Sequence, residues 1–440
     1  MKITLIEPAM IKTSGFSEKP SWQLTPLSLA TLAGMTPPDV EIEVLDDRME
    51  EIDYDSPRDL VGISVKTFTA RRAYQIADEF QKRDVPVILG GHHPTLLPEE
   101  ALEHADSILV GEAEGIWCDV IHDTQHRELK RVYRQRHTLP FENVKVGRSV
   151  FAGKKYLPVG MVETTRGCPF SCSFCSVTTF FGRSFRHRPP MEVIAEIQSL
   201  DSKFVFLVDD NIVADKEAAK DLFRALIPLK IRWISQASLT MTKDLELMRL
   251  MRESGCAGVL VGIESLNKSN LKQIHKSWNT VGIGYDQALH IARDHGIGIV
   301  GSFILGMDED SQESLDLTLE FAVEQRLFAA LFNILMPYPG TLLFKEMLEA
   351  GRLRRPHWWI DPDYLYGMPV FEPRKISAKE LAAKRLEMYR TFYGARSTFR
   401  RFFEPLANIR DLWHAFTFLT MNLSANREEQ IRFGKVLGAI

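Results

Sequence analysis

The chain has 440 residues, 45% hydrophobic and 25% charged, which suits a water-soluble protein of two or three domains rather than a single core. Its 54 Lys+Arg against 58 Asp+Glu give a formal charge of −4, which argues against a protein whose main task is gripping nucleic acid. No stretch reaches the roughly 18 uninterrupted apolar residues of a membrane span, and the first strand pattern is not preceded by an apolar leader with a cleavage site, so a cytoplasmic location is expected.

Residues 1–123 alternate short apolar runs with helix-like segments. Strands are expected at Ile3–Ile6, Glu41–Leu45, Asp59–Val65, Val85–Leu89 and Ser107–Val110, and amphipathic helices near Leu24–Ala33, Ala70–Gln81 and Pro98–His104. This βαβ rhythm predicts a flavodoxin-like, doubly wound parallel sheet, with ligands bound beyond the carboxyl ends of its strands. The candidates there are Glu7 and Pro8, Ser64 to Thr69 with Ser64 and Thr67, then Gly90, Gly91, His92 and His93, and finally Gly111 and Glu112. Two adjacent glycines let a backbone press against a large flat ligand. Adjacent histidines point in different directions, which disfavours a shared metal.

Residues 124–155 are charged and poorly periodic and are read as a linker. From residue 156 to 345 the rhythm returns for six rounds, with strands expected at Met161–Thr164, Phe204–Val208, Arg232–Gln236, Gly258–Gly262, Ile297–Leu305 and Ala329–Met336. Six βα units curl into a partial (β/α)6 barrel with chemistry at the C-terminal ends of the strands. Residues 346–440 read as a helical, aromatic-rich extension, and from Arg374 to Lys435 it carries thirteen Lys/Arg against six Asp/Glu.

Of five cysteines, Cys118 and Cys256 stand alone, while Cys168, Cys172 and Cys175 form C-x3-C-x2-C just after the first barrel strand. An odd, clustered set points to a metal or catalytic role rather than to disulfides. Three thiolates this close can face a cubane cluster and leave one of its irons open. Structural zinc is the alternative, with His187 recruited as a fourth ligand.

The cysteine motif, with the aromatic Phe174 directly before the last cysteine, resembles the radical S-adenosylmethionine (SAM) superfamily over about residues 156–345. The resemblance implies a [4Fe–4S] cluster on Cys168, Cys172 and Cys175, with SAM chelating the open iron and Phe174 against its adenine. It further implies SAM contacts from Asp209 and Asp210, from Gln236 and Glu264, and from the strand around Gly301. The Asp209-Asp210-Asn211 run is also a candidate helix N-cap.

Leu24 to Ala30, Gly90-Gly91 and Gly111-Glu112 are similar to the cobalamin-binding domain that precedes the radical core in the B12-dependent group, implying that Ser64, Thr67, Gly90, Gly91, Gly111 and Glu112 bind that cofactor. No D-x-H-x-x-G is present, which leaves either a cobalt without a protein imidazole beneath it or a domain without cobalamin.

The resemblance implies C-methylation of a small molecule or lipid: a 5′-deoxyadenosyl radical removes hydrogen from an unactivated carbon, methylcobalamin supplies the methyl group, and a second SAM restores it. A flavodoxin or ferredoxin would feed electrons to the cluster. Radical cyclisation, oxidation or rearrangement, as in the anaerobic magnesium-protoporphyrin ester cyclase, is the alternative chemistry. A non-catalytic cobalamin-binding protein with structural zinc is the alternative class. In the C-terminal region Arg385, Arg390, Arg396, Arg400, Arg401 and Arg410 interleave with aromatics. They are read either as a helical cap showing arginines to water or as a surface for an anionic amphiphile or a membrane edge.

Overall fold

The computed structural model describes residues 1–12, 23–135, 137–280 and 282–439. The first sheet contains β1 (Lys2–Glu7), β2 (Glu41–Asp46), β3 (Leu60–Ser64), β4 (Val87–Gly90), β5 (Ser107–Val110) and β6 (Val132–Arg134). All are parallel, in the order β2-β1-β3-β4-β5-β6. Ile3, Leu5, Ile6, Leu60, Val61 and Leu89 are buried, as a sheet covered on both faces requires. The order reverses between β1 and β3, and there the loops diverge to leave a crevice. Behind it the buried Arg72 guanidinium grips Asp47 through two 2.8 Å bonds.

β6 lies inside the stretch expected to be a linker. Its three residues carry too little periodicity to signal a strand, and pairing with β5 supplies what the pattern lacks. Tyr133 at its centre is buried and donates to Asp123 at 2.8 Å.

The second sheet begins with β7 (Gly160–Val162), followed by the antiparallel hairpin of β8 (Thr165–Gly167) and β9 (Phe185–His187). It continues with β10 (Phe204–Leu207), β11 (Arg232–Ala237), β12 (Cys256–Glu264), β13 (Gly298–Leu305) and β14 (Ala329–Ile334). The six parallel strands run in the order β14-β13-β12-β11-β10-β7, and no pairing closes β14 on β7 among the described residues. Along β13 the less buried Val300, Ser302 and Ile304 alternate with fully packed neighbours, so one face of the curled sheet lines an interior.

An open sheet leaves unpaired backbone groups on its edge strand. The C-terminal helices satisfy those of β14: Ala330 N–H donates to Tyr393 Oη at 3.2 Å, whose hydroxyl donates to Ala330 O at 2.8 Å. Phe332 N–H donates to Tyr389 Oη at 3.3 Å, and Arg385 Nε donates to Phe332 O at 2.8 Å. Tyr389, Tyr393 and Arg385 come from or directly follow helix Ala378–Phe392.

The arginines expected at the surface therefore divide into two groups. Arg385 and Arg401 are buried, while Arg390, Arg396 and Arg400 are exposed. Arg401 donates to Leu327 O, Phe328 O, Phe392 O and Asn422 Oδ1 and lies 3.7 Å from the Phe392 ring centroid. Burial lowers its pKa to about 10, and its acceptors are all neutral, three backbone carbonyls with the side chains of Ser397, Thr398 and Asn422. Removing it orphans several buried carbonyls, so Arg401→Ala should cost roughly 3 kcal/mol in denaturant unfolding, whereas Arg400→Ala at the surface should cost under about 0.5.

Candidate active site

The cysteine loop is held before any ligand arrives. Thr164 and Thr165 N–H donate to Asp209 Oδ1 at 2.8 and 2.6 Å, and Thr164 Oγ1 donates to Oδ2 at 2.6 Å. Gly167 N–H donates to Asp210 Oδ2 at 3.1 Å. Ser173 N–H donates to Ile274 O at 3.1 Å, and Phe170 stacks on Trp278 at 3.6 Å. The loop is thus pinned to the end of β10 and to the segment that follows helix Lys268–Gln273.

All three cysteines are free thiols lining a cavity of about 470 Å³ inside the curled sheet. Burial raises the Cys168 thiol and pushes Cys172 up to about 12, with Lys276 pulling the other way. Metal binding must therefore displace protons from these buried thiols. Phe174, Asp210, Asn211, Gln236, Glu264 and Ser302 share that cavity.

Glu264 takes a left-handed backbone (φ 64°) and meets Lys276 Nζ at 2.7 Å. Burial opposes the Lys276 charge, but Glu264 and Cys172 hold its ammonium above the ordinary range. A Cβ on Gly262 would fall 2.1 Å from Glu264 Oε1 and 2.4 Å from Lys276 Nζ, so only glycine leaves room for this pair. Lys276 lies on a loop without strand periodicity, and no signal in the sequence marks it. The same is true of Tyr338, Tyr364 and Tyr366, which line the cavity from beyond the barrel together with Arg385 of the helix Ala378–Phe392.

Two of the residues expected near SAM are not among those lining the cavity. Asp209 is buried and turned onto the Thr164–Thr165 backbone, so it positions the loop and does not line the cavity. It is not a helix cap either, since Asp215 caps the following helix. Gly301 faces outward: a Cβ there would strike Leu327 at 2.7 Å, while its neighbours Ser302 and Ile304 face in.

Beyond the barrel mouth a space of about 650 Å³ is lined by Glu7, Lys66, Thr67, Phe68, His92 and Tyr338 among others. It shares Phe68 and Tyr338 with the cysteine cavity. It shares Lys66 and His92 with a third pocket of about 330 Å³, lined by Ser28, Ser64, Gly90, Gly91, Gly111 and Glu112. The three therefore adjoin one another through shared walls, from the sulfurs to the end of the first sheet. Thr67 borders the middle space rather than the third pocket. Gly91 (φ 104°) is obligatory, because a Cβ would approach Val65 O to 2.9 Å.

The two histidines do diverge. His93 Nε2 lies 3.1 Å from Tyr74 Oη and 3.0 Å from Glu100 Oε1, and Trp359 Nε1 donates to the same carboxylate at 2.8 Å. His92 stacks on Phe180, and burial, with Lys66 nearby, lowers its pKa to about 4. Glu112 faces the hairpin: it accepts from Arg166 at 2.7 Å and from Arg186 at 2.9 Å, two residues paired across β8 and β9.

Residues 162–322 match the Radical SAM superfamily, and residues 16–121 match the B12 binding domain. The chain is 31% identical over 390 residues to bacteriochlorophyllide d C-12(1)-methyltransferase of Chlorobaculum tepidum, covering 86% of this chain and 84% of that one. The chain belongs to the B12-binding group of the radical SAM superfamily. It is also 25% identical over 374 residues to the anaerobic magnesium-protoporphyrin IX monomethyl ester cyclase of Cereibacter sphaeroides, covering 77% of this chain and 60% of that one. The structure of the cobalamin-dependent SAM radical enzyme OxsB has a similar fold, with a TM-score of 0.67 over 98% of this chain and 72% of that one at 16% identity.

This radical SAM enzyme carries two domains whose families imply SAM with a [4Fe–4S] cluster and cobalamin, respectively. The residues present fit both. Three inward-facing thiols with an adjoining polar ledge suit a cubane with one open iron. Among the described residues no group of three or more His, Cys, Asp or Glu is disposed to hold a single ion, and His187 is exposed and lines a separate small pocket, which removes the fourth ligand that zinc would need. The hydroxyls and glycines at the sheet end, above a largely apolar pocket, suit a large ligand that inserts part of itself between sheet and helix.

Two outcomes test this arrangement. Cys172→Ala should cut iron and sulfide to less than about half of the wild-type content after anaerobic reconstitution, because two thiolates hold a cubane poorly. Glu112→Ala leaves Arg186 buried without its carboxylate and should lower stability by about 3 kcal/mol in denaturant unfolding.

Proposed function

We propose that this protein is a cobalamin-dependent radical SAM methyltransferase that adds a methyl group to an unactivated carbon of a small molecule or lipid with a large apolar part. The observation that carries this reading is the adjacency of the three spaces, which share lining residues from the C-terminal edge of the B12-binding sheet to the cysteine-lined barrel. When bound, the cluster and SAM supply a carbon radical that removes hydrogen, and methylcobalamin supplies the methyl group.

In this reading Cys168, Cys172 and Cys175 hold three irons, and Phe174 lies against the adenine. Asp210, Gln236 and Glu264 orient the amino, ribose and methionine parts of SAM. Lys276 offers a buried cation to a carboxylate on the same ledge. Ser64, Gly90, Gly91 and Gly111 line the cobalamin pocket, and Thr67 borders the space above it. Phe68, Tyr338, Tyr364 and Tyr366 roof the barrel mouth and exclude water where a reactive carbon would be exposed. A flavodoxin or ferredoxin serves as electron donor.

The relative from Chlorobaculum tepidum, named as a methyltransferase, supports methyl transfer, and the likeness to the cyclase keeps ring formation as the second reading. Anaerobic protein reconstituted with cluster, cobalamin and methyl-labelled SAM should form deoxyadenosine and S-adenosylhomocysteine when given reductant and extracted lipids or pigments. The label should appear in a new product. Deoxyadenosine with an altered but unlabelled product would support ring formation instead, and absence of both nucleosides would contradict either chemistry.

A further inference from the structure

We propose that the outer face of the two last helices, Ala395–Phe402 and Leu412–Arg432, is a docking surface for a lipid bilayer bearing anionic head groups. Large apolar side chains exposed to solvent gather there. Leu412, Phe416, Leu419 and Leu423 recur at helical spacing on one face, with Leu412 91% and Leu423 76% exposed. Phe399 and Phe403 add an exposed aromatic pair from the neighbouring helix and its end, 4.8 Å apart. The opposite face of the long helix buries Phe418 and Asn422 against β14 and Arg401, so the exposed stripe is not a core face left open by a misplaced helix. A contiguous apolar patch of this kind on a protein surface marks an interaction site.

Charge identifies the occupant. Arg396 and Arg400 lie on the same outward face as Phe399 and Phe403, and Arg427 follows Leu423 by one turn; all three are exposed. Of the nearby carboxylates, Glu404 turns to Arg326 at 3.4 Å and Asp411 to Arg232 at 3.0 Å, while the exposed Glu324 lies 3.9 Å from Arg400 and offsets part of its charge, leaving Arg396 and Arg427 as the main cations of the face. An apolar stripe flanked by guanidinium groups matches an interface that is apolar below and diffusely negative above. A second copy of the same face would oppose arginine with arginine. Neither helix is long and apolar enough to cross a membrane, so the contact is peripheral. This surface is independent of the chemistry assigned to the barrel.

The test uses the full-length protein in flotation with vesicles of phosphatidylcholine alone or mixed with phosphatidylglycerol. The protein should float with the mixed vesicles, and less with phosphatidylcholine alone or at high salt. Phe416→Glu combined with Leu423→Glu should reduce partitioning at least about tenfold, and Arg396→Glu combined with Arg400→Glu should abolish the preference for the anionic lipid. Both double variants should keep the wild-type thermal midpoint, since all four side chains are exposed; if the apolar pair disturbs folding, the arginine pair still decides. Failure of the wild type to float, or unchanged flotation of the variants, overturns the proposal. So does a lipid-free dimer that the Phe416 and Leu423 substitutions dissolve, which would assign the face to a second copy of this chain.

Discussion

Two guanidinium groups side by side on a short hairpin repel each other unless an anion lies between them. Arg166 on β8 and Arg186 on β9 are such a pair, and Glu112 at the end of β5 supplies the anion to both. Glu163 and Glu114 complete the neutralisation around Arg166, which also lies over the Phe141 ring. The hairpin brackets the cysteine loop, so the bridge fixes the sulfurs relative to the first sheet. Together with the Glu114–Arg166 pair it is the ionic link that holds the C-terminal ends of the two parallel sheets toward each other.

The C-terminal region braces the arrangement from the other side. Its Trp359 reaches Glu100, which in turn engages His93 and Tyr74 in the first domain. Tyr389, Tyr393 and Arg385 occupy the edge of β14 that an unclosed barrel exposes. Arg385 also pairs with Glu429 of the last helix at 2.5 Å while lining the cysteine cavity. The helix that closes the sheet edge thus also lines the cavity through Arg385, with its tyrosines serving as hydrogen-bonding groups rather than as surface aromatics.

Much of this was legible in the amino-acid order. Strands such as Ser107–Val110 and the helix Ala70–Gln81 announce themselves because their residues are buried with a regular period. The cysteine spacing is equally plain, since a small inorganic object constrains its ligands locally. What the order hid depends on long-range contact. The β8–β9 hairpin and β6 are three-residue strands whose partners, not their periodicity, make them strands. Lys276 becomes notable only when the fold brings it to Glu264, and the turn of Asp209 onto the Thr164–Thr165 backbone shows only in the fold, because the end of a strand does not tell which neighbour faces inward. Arg401 looks like any surface arginine until the carbonyls around it are counted.

The central claim is that the first sheet presents cobalamin close to a cluster held in the barrel, across adjoining spaces. Electron paramagnetic resonance of the anaerobic holoenzyme, with cobalt in the cob(II)alamin state and the cluster reduced, measures that proximity. Dipolar broadening of the cobalt signal, relieved when the cluster is oxidised, is the result this structure predicts. Two superimposed signals that show no mutual coupling would mean that the metals occupy remote sites, and the arrangement described for this protein would be wrong.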